Sequence, residues 1–201
     1  MKSNKILIGI TGNSGSGKTT VCKILKDMGF YTIDCDVLSH SILCPGELAY
    51  TKVVDAFGTE VLTDNQKIDR KKLGAIVFAD LNKRTLLESI VHPIVIDSVL
   101  KEAATANSDY IAVDAVLLVE SGLHHHCNAV WLVTAEEEER LTRIIARDSL
   151  SQEAAQARMR NQRDTKHIAE LASEIIINNG DLEILQWQVK NAVQKLQANE
   201  V

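Results

Sequence analysis

Five short apolar runs recur along the chain: Ile6–Ile10, Tyr31–Ile33, Tyr110–Val113, Ala129–Val133 and Glu174–Ile177. The stretches between them carry helical spacing. Strand-like runs alternating with helical patterns predict an α/β fold, a parallel sheet with helices on both faces. Sheets of this kind bind ligands outside the carboxyl ends of their strands. Asp34, Asp36, Asp114 and Asn178 all fall at or just after predicted strand ends, so one crevice is expected to gather them.

Two stretches interrupt the alternation. Residues 37–106 read as mostly helical and hold both prolines, Pro45 and Pro93. Pro93 follows a helical pattern and is expected to break or kink it near His92. Residues 136–172 are highly charged and rich in arginine, with little continuous apolar sequence. The expected organisation is therefore a core of residues 1–36, 107–135 and 173–201, a helical insertion at 37–106, and a second, arginine-rich insertion at 136–172. No internal repeat or low-complexity linker interrupts the chain.

The connection after the first run is the most specific feature. Gly12-Asn13-Ser14-Gly15-Ser16-Gly17-Lys18-Thr19 has the G-x-x-x-x-G-K-[ST] pattern of a phosphate-binding loop, and it sits between a predicted strand and a helix-like segment, Thr20–Met28. That setting is the one the pattern requires. Glycines let the backbone curl so that successive N–H groups face an anion. Lys18 adds a charge for the β- and γ-phosphates, the Thr19 hydroxyl is a ligand for Mg²⁺, and the following helix, opening near Thr20, turns its N-terminus on the anion. A nucleoside triphosphate is the expected ligand.

Bulk properties narrow the setting. The 201 residues suit one α/β domain with insertions, and the formal net charge of -5 disfavours general nucleic-acid binding. No apolar run reaches membrane-spanning length, and no signal-peptide pattern opens the chain. Cys22, Cys35, Cys44 and Cys127 show neither disulfide nor zinc spacing. A cytoplasmic protein that binds neither nucleic acid nor membrane is the expectation. Oligomeric state is not legible.

Several side chains are candidates for chemistry. In Asp34-Cys35-Asp36 the two carboxylates share a face if the strand continues, and one could take the proton of an attacking hydroxyl. Alternatively, Asp36 caps the helix that begins at Val37. Asp114 is placed to hold Mg²⁺ through water, with Glu120 six residues on. Arg140, Arg143 and Arg147 form one helical stripe, followed by Arg158, Arg160 and Arg163. They read either as a lid over a triphosphate or as an ion-paired helix built on Glu136/Arg140 and Glu139/Arg143. His40 and His92 are candidates for substrate contact or half-buried structural residues. His124-His125-His126 reads as a solvated loop.

The chain resembles the dephospho-coenzyme A kinase family along nearly its whole length. The resemblance is carried by Ile8-Gly9-Ile10-Thr11-Gly12…Lys18-Thr19-Thr20, by Ile33-Asp34-Cys35-Asp36 (Cys35 in place of the family's alanine) and by Pro45-Gly46. Phe57-Gly58, Ile68-Asp69-Arg70, His92-Pro93, Val116-Leu117-Leu118-Val119-Glu120, Arg143, Arg147, Arg158-Met159…Gln162 and Asn178-Asn179-Gly180 continue it. Val116 replaces the family's usual proline and Arg140 its usual glutamine. What the resemblance implies is a kinase that uses ATP to phosphorylate the ribose 3′-hydroxyl of dephospho-coenzyme A. It implies Asp36 as general base, and Lys18 with the loop amides of residues 12–20 on the phosphates. It further implies residues 37–106 as the acceptor-binding region, residues 136–172 as the lid, Arg143 as an ATP-side lid contact and Asn178 in the adenine pocket; Asp34, His92 and Glu120 are expected on the acceptor side from their own placement. Two rivals share parts of this pattern. Another small-molecule kinase would have the same loop. A GTPase-type switch would need N-K-x-D, and Asn82-Lys83-Arg84-Thr85 lacks the aspartate.

Overall fold

The computed structural model describes residues 5–160, 162 and 165–198. In chain order the elements are β1 (Ile6–Thr11), α1 (Lys18–Asp27), β2 (Tyr31–Asp34), α2 (Cys35–Ser41), α3 (Leu48–Phe57), α4 (Arg70–Ala79) and α5 (Leu81–Thr105). There follow β3 (Tyr110–Asp114), β4 (Ala129–Thr134), α6 (Glu137–Asp148), α7 (Gln152–Arg160), α8 (Lys166–Leu171), β5 (Glu174–Ile177) and α9 (Leu182–Ala198). The strands form a sheet in the order β2-β3-β1-β4-β5, and β1 pairs in parallel with both β3 and β4, as β4 does with β5. Every strand anticipated from the apolar runs is present, within a residue of its expected ends. Among the described residues no helix is long and apolar enough to cross a membrane.

The chain divides into two compact units, residues 1–32 with 106–201 and residues 33–105. The first carries the sheet. Its three central strands, β3, β1 and β4, are buried on both faces, which is why they read as unbroken apolar runs rather than alternating ones. On one face Ile8, Ile10, Ala112, Trp131, Val133 and Ile176 pack with Val21, Leu25 and Phe30 and with Leu185 and Val189 of α9. On the other face Gly9 makes room for a connecting segment. A Cβ at Gly9 would stand 2.5 Å from a methyl of Leu118, which is fully buried. Ordinary carbon contacts need about 3.5–4.0 Å, so Leu118 rests directly on the β1 backbone.

The second unit is helical. Val53, Phe57, Val61 and Leu73 form its core, with Ile68, Ile76, Leu87 and Val91 packed around them. Asp69 opens α4 by accepting the N–H groups of Lys71 and Lys72, and Asp80 does the same for Asn82 and Lys83 at the start of α5. Pro93 does not break α5, which runs for 25 residues with the proline inside. A proline removes one N–H donor from the helix, and α2, α3 and α4 all pack along α5 and hold it. The expected break at His92 is therefore absent.

Candidate active site

The phosphate loop leaves β1 at its carboxyl end. Thr11 is fully buried and its hydroxyl donates to the Val116 carbonyl at 3.3 Å, which ties the exit of β1 to the segment after β3. Gly17, at φ 96°, is the N-cap of α1, and no side chain caps that helix. The N–H groups of Thr20 and Val21 reach the Gly17 carbonyl at 3.0 and 3.1 Å. The positive end of the α1 dipole lies at this turn, which suits an anion. Lys18 arches over the loop and donates to the Gly12 carbonyl at 2.9 Å. Ser16 is fully buried, its N–H bonded to the Asn13 carbonyl at 3.2 Å, and its hydroxyl has no partner among the described residues.

Three successive carbonyls of the loop point outward and each meets a side-chain donor. Arg140 Nε donates to Ser14 at 3.2 Å, Arg143 Nη1 to Gly15 at 3.3 Å, and Asn178 Nδ2 to Ser16 at 2.9 Å. Asn178 follows β5, is itself buried, and is fixed by its own N–H on the Thr134 carbonyl at 2.8 Å. It packs so closely on the loop that a Cβ at Gly17 would fall 1.9 Å from its Nδ2. The first turn of α6 also lies close: a Cβ at Gly15 would lie 2.7 Å from the Arg140 carbonyl. Arg147 adds a bond from Nη2 to the Ser14 hydroxyl at 3.1 Å. The stripe anticipated on α6 therefore reaches the loop apex with all three of its arginines.

The ion pairing along α6 differs from the pairs expected by spacing. Glu139 and Arg143 do pair, at 3.2 Å. Glu136 and Arg140 do not use each other: Asn179 Nδ2 donates to the Glu136 carboxylate at 3.4 Å, and Arg140 is spent on Ser14 and on the Gln162 amide oxygen. Arg147 and Arg158 converge on Asp148, at 2.8 and 2.6 Å. The Arg147 hydrogen bond holds the Asp148 carboxyl below its ordinary range, and the same bond raises Arg147. Burial pulls Arg140 down, with Glu137 acting the other way. Arg160 closes α7, and Arg163 lies outside the described residues.

Asp114 ends β3, half-buried and directly opposite Ile10 in the register, at the level where β1 gives way to the loop. Thr19 is exposed in the first turn of α1. Glu120 is exposed in the turn that follows β3. Asp34, Asp36 and His92 belong to the helical unit. There the expected alternation fails, because the strand stops at Asp34 and Cys35 is already helical. Asp34, not Asp36, is the cap: its Oδ1 accepts the N–H groups of Asp36 and Val37 at 2.8 and 3.1 Å. Asp36 stands exposed in the first turn of α2, where a negative charge suits the helix dipole. His92 is half-buried inside α5, and His40 is exposed on α2. His124–His126 lie in a short turn with the rings of His124 and His125 3.9 Å apart. Among the described residues no group of three or more His, Cys, Asp or Glu is arranged to hold a metal.

The family resemblance lends Arg140 no role of its own, since the family usually has glutamine there. The signal was present, since Arg140 begins the stripe that includes Arg143, but its contact with Ser14 spans 126 positions and only folding reveals it. The Thr11–Val116 and Asn179–Glu136 bonds are of the same kind.

The protein-family model described as dephospho-CoA kinase matches residues 6–183. A dephospho-CoA kinase of Carboxydothermus hydrogenoformans is 40% identical over 192 residues, covering 94% of this chain and 93% of that protein. A solved structure of a Thermus thermophilus protein superposes with a TM-score of 0.82 at 32% identity, over 96% of this chain and 98% of that one. Dephospho-CoA kinase from Campylobacter jejuni superposes with a TM-score of 0.68 at 29% identity, over 97% and 98%.

Proposed function

The chain belongs to the dephospho-CoA kinase family, and from that premise we infer how its residues divide the work of the reaction. The reaction is ATP-dependent phosphorylation of dephospho-CoA in coenzyme A biosynthesis. The γ-phosphoryl passes to the ribose 3′-hydroxyl, leaving coenzyme A and ADP. The observation that carries this reading is the loop itself: an uncapped helix start, Lys18 arched across it, and guanidinium groups from α6 gripping its apex.

Phosphoryl transfer asks little covalent chemistry of a protein and much electrostatics. Lys18 and the amides of residues 12–20 take up charge that migrates toward the β–γ bridge. Arg143 binds on the ATP side, where its other nitrogen already rests on Glu139. Asn178 lines the adenine side while its Nδ2 braces Ser16. Asp36 accepts the proton of the 3′-hydroxyl, and a carboxylate suffices because proton transfer can lag behind P–O cleavage in a loose transition state. Asp34, His92 and Glu120 contact the acceptor.

The Thr19 hydroxyl and the Asp114 carboxylate are hard oxygen donors, the set Mg²⁺ prefers, and both stand where the phosphate loop begins or ends. They fit as its holders, Asp114 through water. Bound there, the ion would neutralise charge between the β- and γ-oxygens. None of the four cysteines is joined in a disulfide, which supports a reducing, cytoplasmic setting.

The test is ADP release with dephospho-CoA against a panel of nucleosides, run beside Lys18→Ala. Dephospho-CoA should be the preferred acceptor, and Lys18→Ala should lose roughly 10²-fold or more in kcat. Preference for a nucleoside would overturn the acceptor, and unchanged turnover in the variant would overturn the loop assignment.

A further inference from the structure

We propose that Arg140 is a positioning residue for the phosphate loop, one that sets the orientation of the Ser14–Gly15 peptide and ties the loop apex to Gln162. The inference rests on the reading of the loop as the cradle of ATP phosphates, and it concerns how that cradle is kept in shape.

A trans peptide carries its C=O and its N–H on opposite sides of one rigid plane. A carbonyl held outward therefore turns the next residue's N–H inward. Arg140 holds the Ser14 carbonyl at 3.2 Å, so it directs the Gly15 N–H into the loop. Arg143 and Asn178 do the same for the next two peptides. The Ser14–Gly15 plane needs such a hold, because Gly15 sits at φ 80° and glycine rotates with little steric resistance.

Arg140 also reaches beyond the loop. Its Nη2 donates to the Gln162 amide oxygen, on the far side of α7 in sequence. Both acceptors are neutral, so their partner must donate in two directions without being neutralised by either. The planar guanidinium fork does this, whereas a lysine ammonium is a point charge on a flexible stem and a glutamine amide is shorter and uncharged. The backbone of the same residue closes the arrangement, with its carbonyl too near Gly15 to admit a side chain there. Arg140 remains charged despite its burial, because a guanidinium does not deprotonate in a protein.

The experiment measures binding of adenosine, ADP and a non-hydrolysable ATP analogue to the full chain and its variants. Arg140→Lys keeps the charge and loses the fork. It should weaken the ATP analogue about tenfold, the loss expected for one hydrogen bond to a charged group, and leave adenosine unchanged. Gln162→Ala should weaken the analogue less, and adding it to Arg140→Ala should cost nothing further. In the parent the Gly15 amide proton should shift downfield when the analogue binds, and in Arg140→Lys that shift should shrink. Parent-like affinity in Arg140→Lys would overturn the proposal, as would equal losses for adenosine and the ATP analogue, or additive effects of the two sites. If Arg140→Ala fails to fold, Arg140→Lys with Gln162→Ala gives the same comparison. None of these measurements uses dephospho-CoA, so failure of the proposed acceptor would leave this result readable, and the reverse.

Discussion

Replacing Asp34 and Asp36 separately should split stability from catalysis, although the two lie two positions apart. Asp34 Oδ1 accepts two backbone N–H groups at the start of α2, at 2.8 and 3.1 Å. Losing such a cap to alanine costs about 1 kcal/mol. In a chain of this length that corresponds to a fall in melting temperature of roughly 2–4 °C. Asparagine caps about as well as aspartate, so Asp34→Asn should restore most of that loss. Asp36 takes no part in the cap with its side chain and stands exposed. Asp36→Asn should therefore melt within about 0.5 kcal/mol of the parent, as surface substitutions do. Its kcat should fall by about 10²-fold or more, the usual share of a general base. Binding of ATP should be unchanged. Thermal melts, nucleotide binding and coupled ADP release on the same preparations give the three readouts. Parent-rate turnover by Asp36→Asn would refute the assignment of the base and make Glu120 the next residue to test. An unchanged melting temperature in Asp34→Ala would refute the cap as a source of stability.

Gly17→Ala should abolish ATP binding, because its Cβ would fall 1.9 Å from Asn178 Nδ2 at a φ of 96°; binding of the ATP analogue at parent affinity would show that the loop yields. Hydrogen exchange should reveal new protection across α7 and Gln162 when the ATP analogue binds, with less gain in the first turn of α6, which already lies against Gly15. Identical exchange in both states would favour a plain ion-paired helix. Cys44 is exposed and should alkylate readily near neutral pH, whereas burial pushes the Cys127 thiol up to about 12. A raised thiol pKa leaves almost no thiolate at pH 8, so alkylation of Cys127 should accelerate only toward that value, and equal rates for the two thiols at pH 8 would contradict its burial.

The sheet was readable from the chain because its central strands, β1, β3 and β4, are doubly buried and announce themselves as continuous apolar runs. The phosphate loop was readable for a different reason: its donors are contiguous, so one eight-residue pattern contains them. What escaped was set by distance along the chain or by a local competition. The Arg140–Ser14 and Thr11–Val116 bonds join residues that are remote until the sheet assembles. The Asp34–Asp36 geometry turned on whether the strand or the helix claimed Cys35, and two cap hydrogen bonds favoured the helix. Pro93 read as a break or a kink, and the break is absent because local rules see the lost donor and not the three helices packed against α5.

The contact between Gly9 and Leu118 bears on how this lineage can change. Neither position can drift alone. A methyl at Gly9 would meet Leu118 at 2.5 Å, and trimming Leu118 first would leave a cavity at a cost of about 2–5 kcal/mol. Both first steps lead downhill in fitness, while the double exchange of a larger residue at 9 for a smaller one at 118 would be close to neutral in volume. Descendants of this sequence should therefore hold or exchange the two residues as a pair. Because Gly9 lies on the strand that ends in the phosphate loop, a half-finished exchange would be penalised in activity as well as in stability.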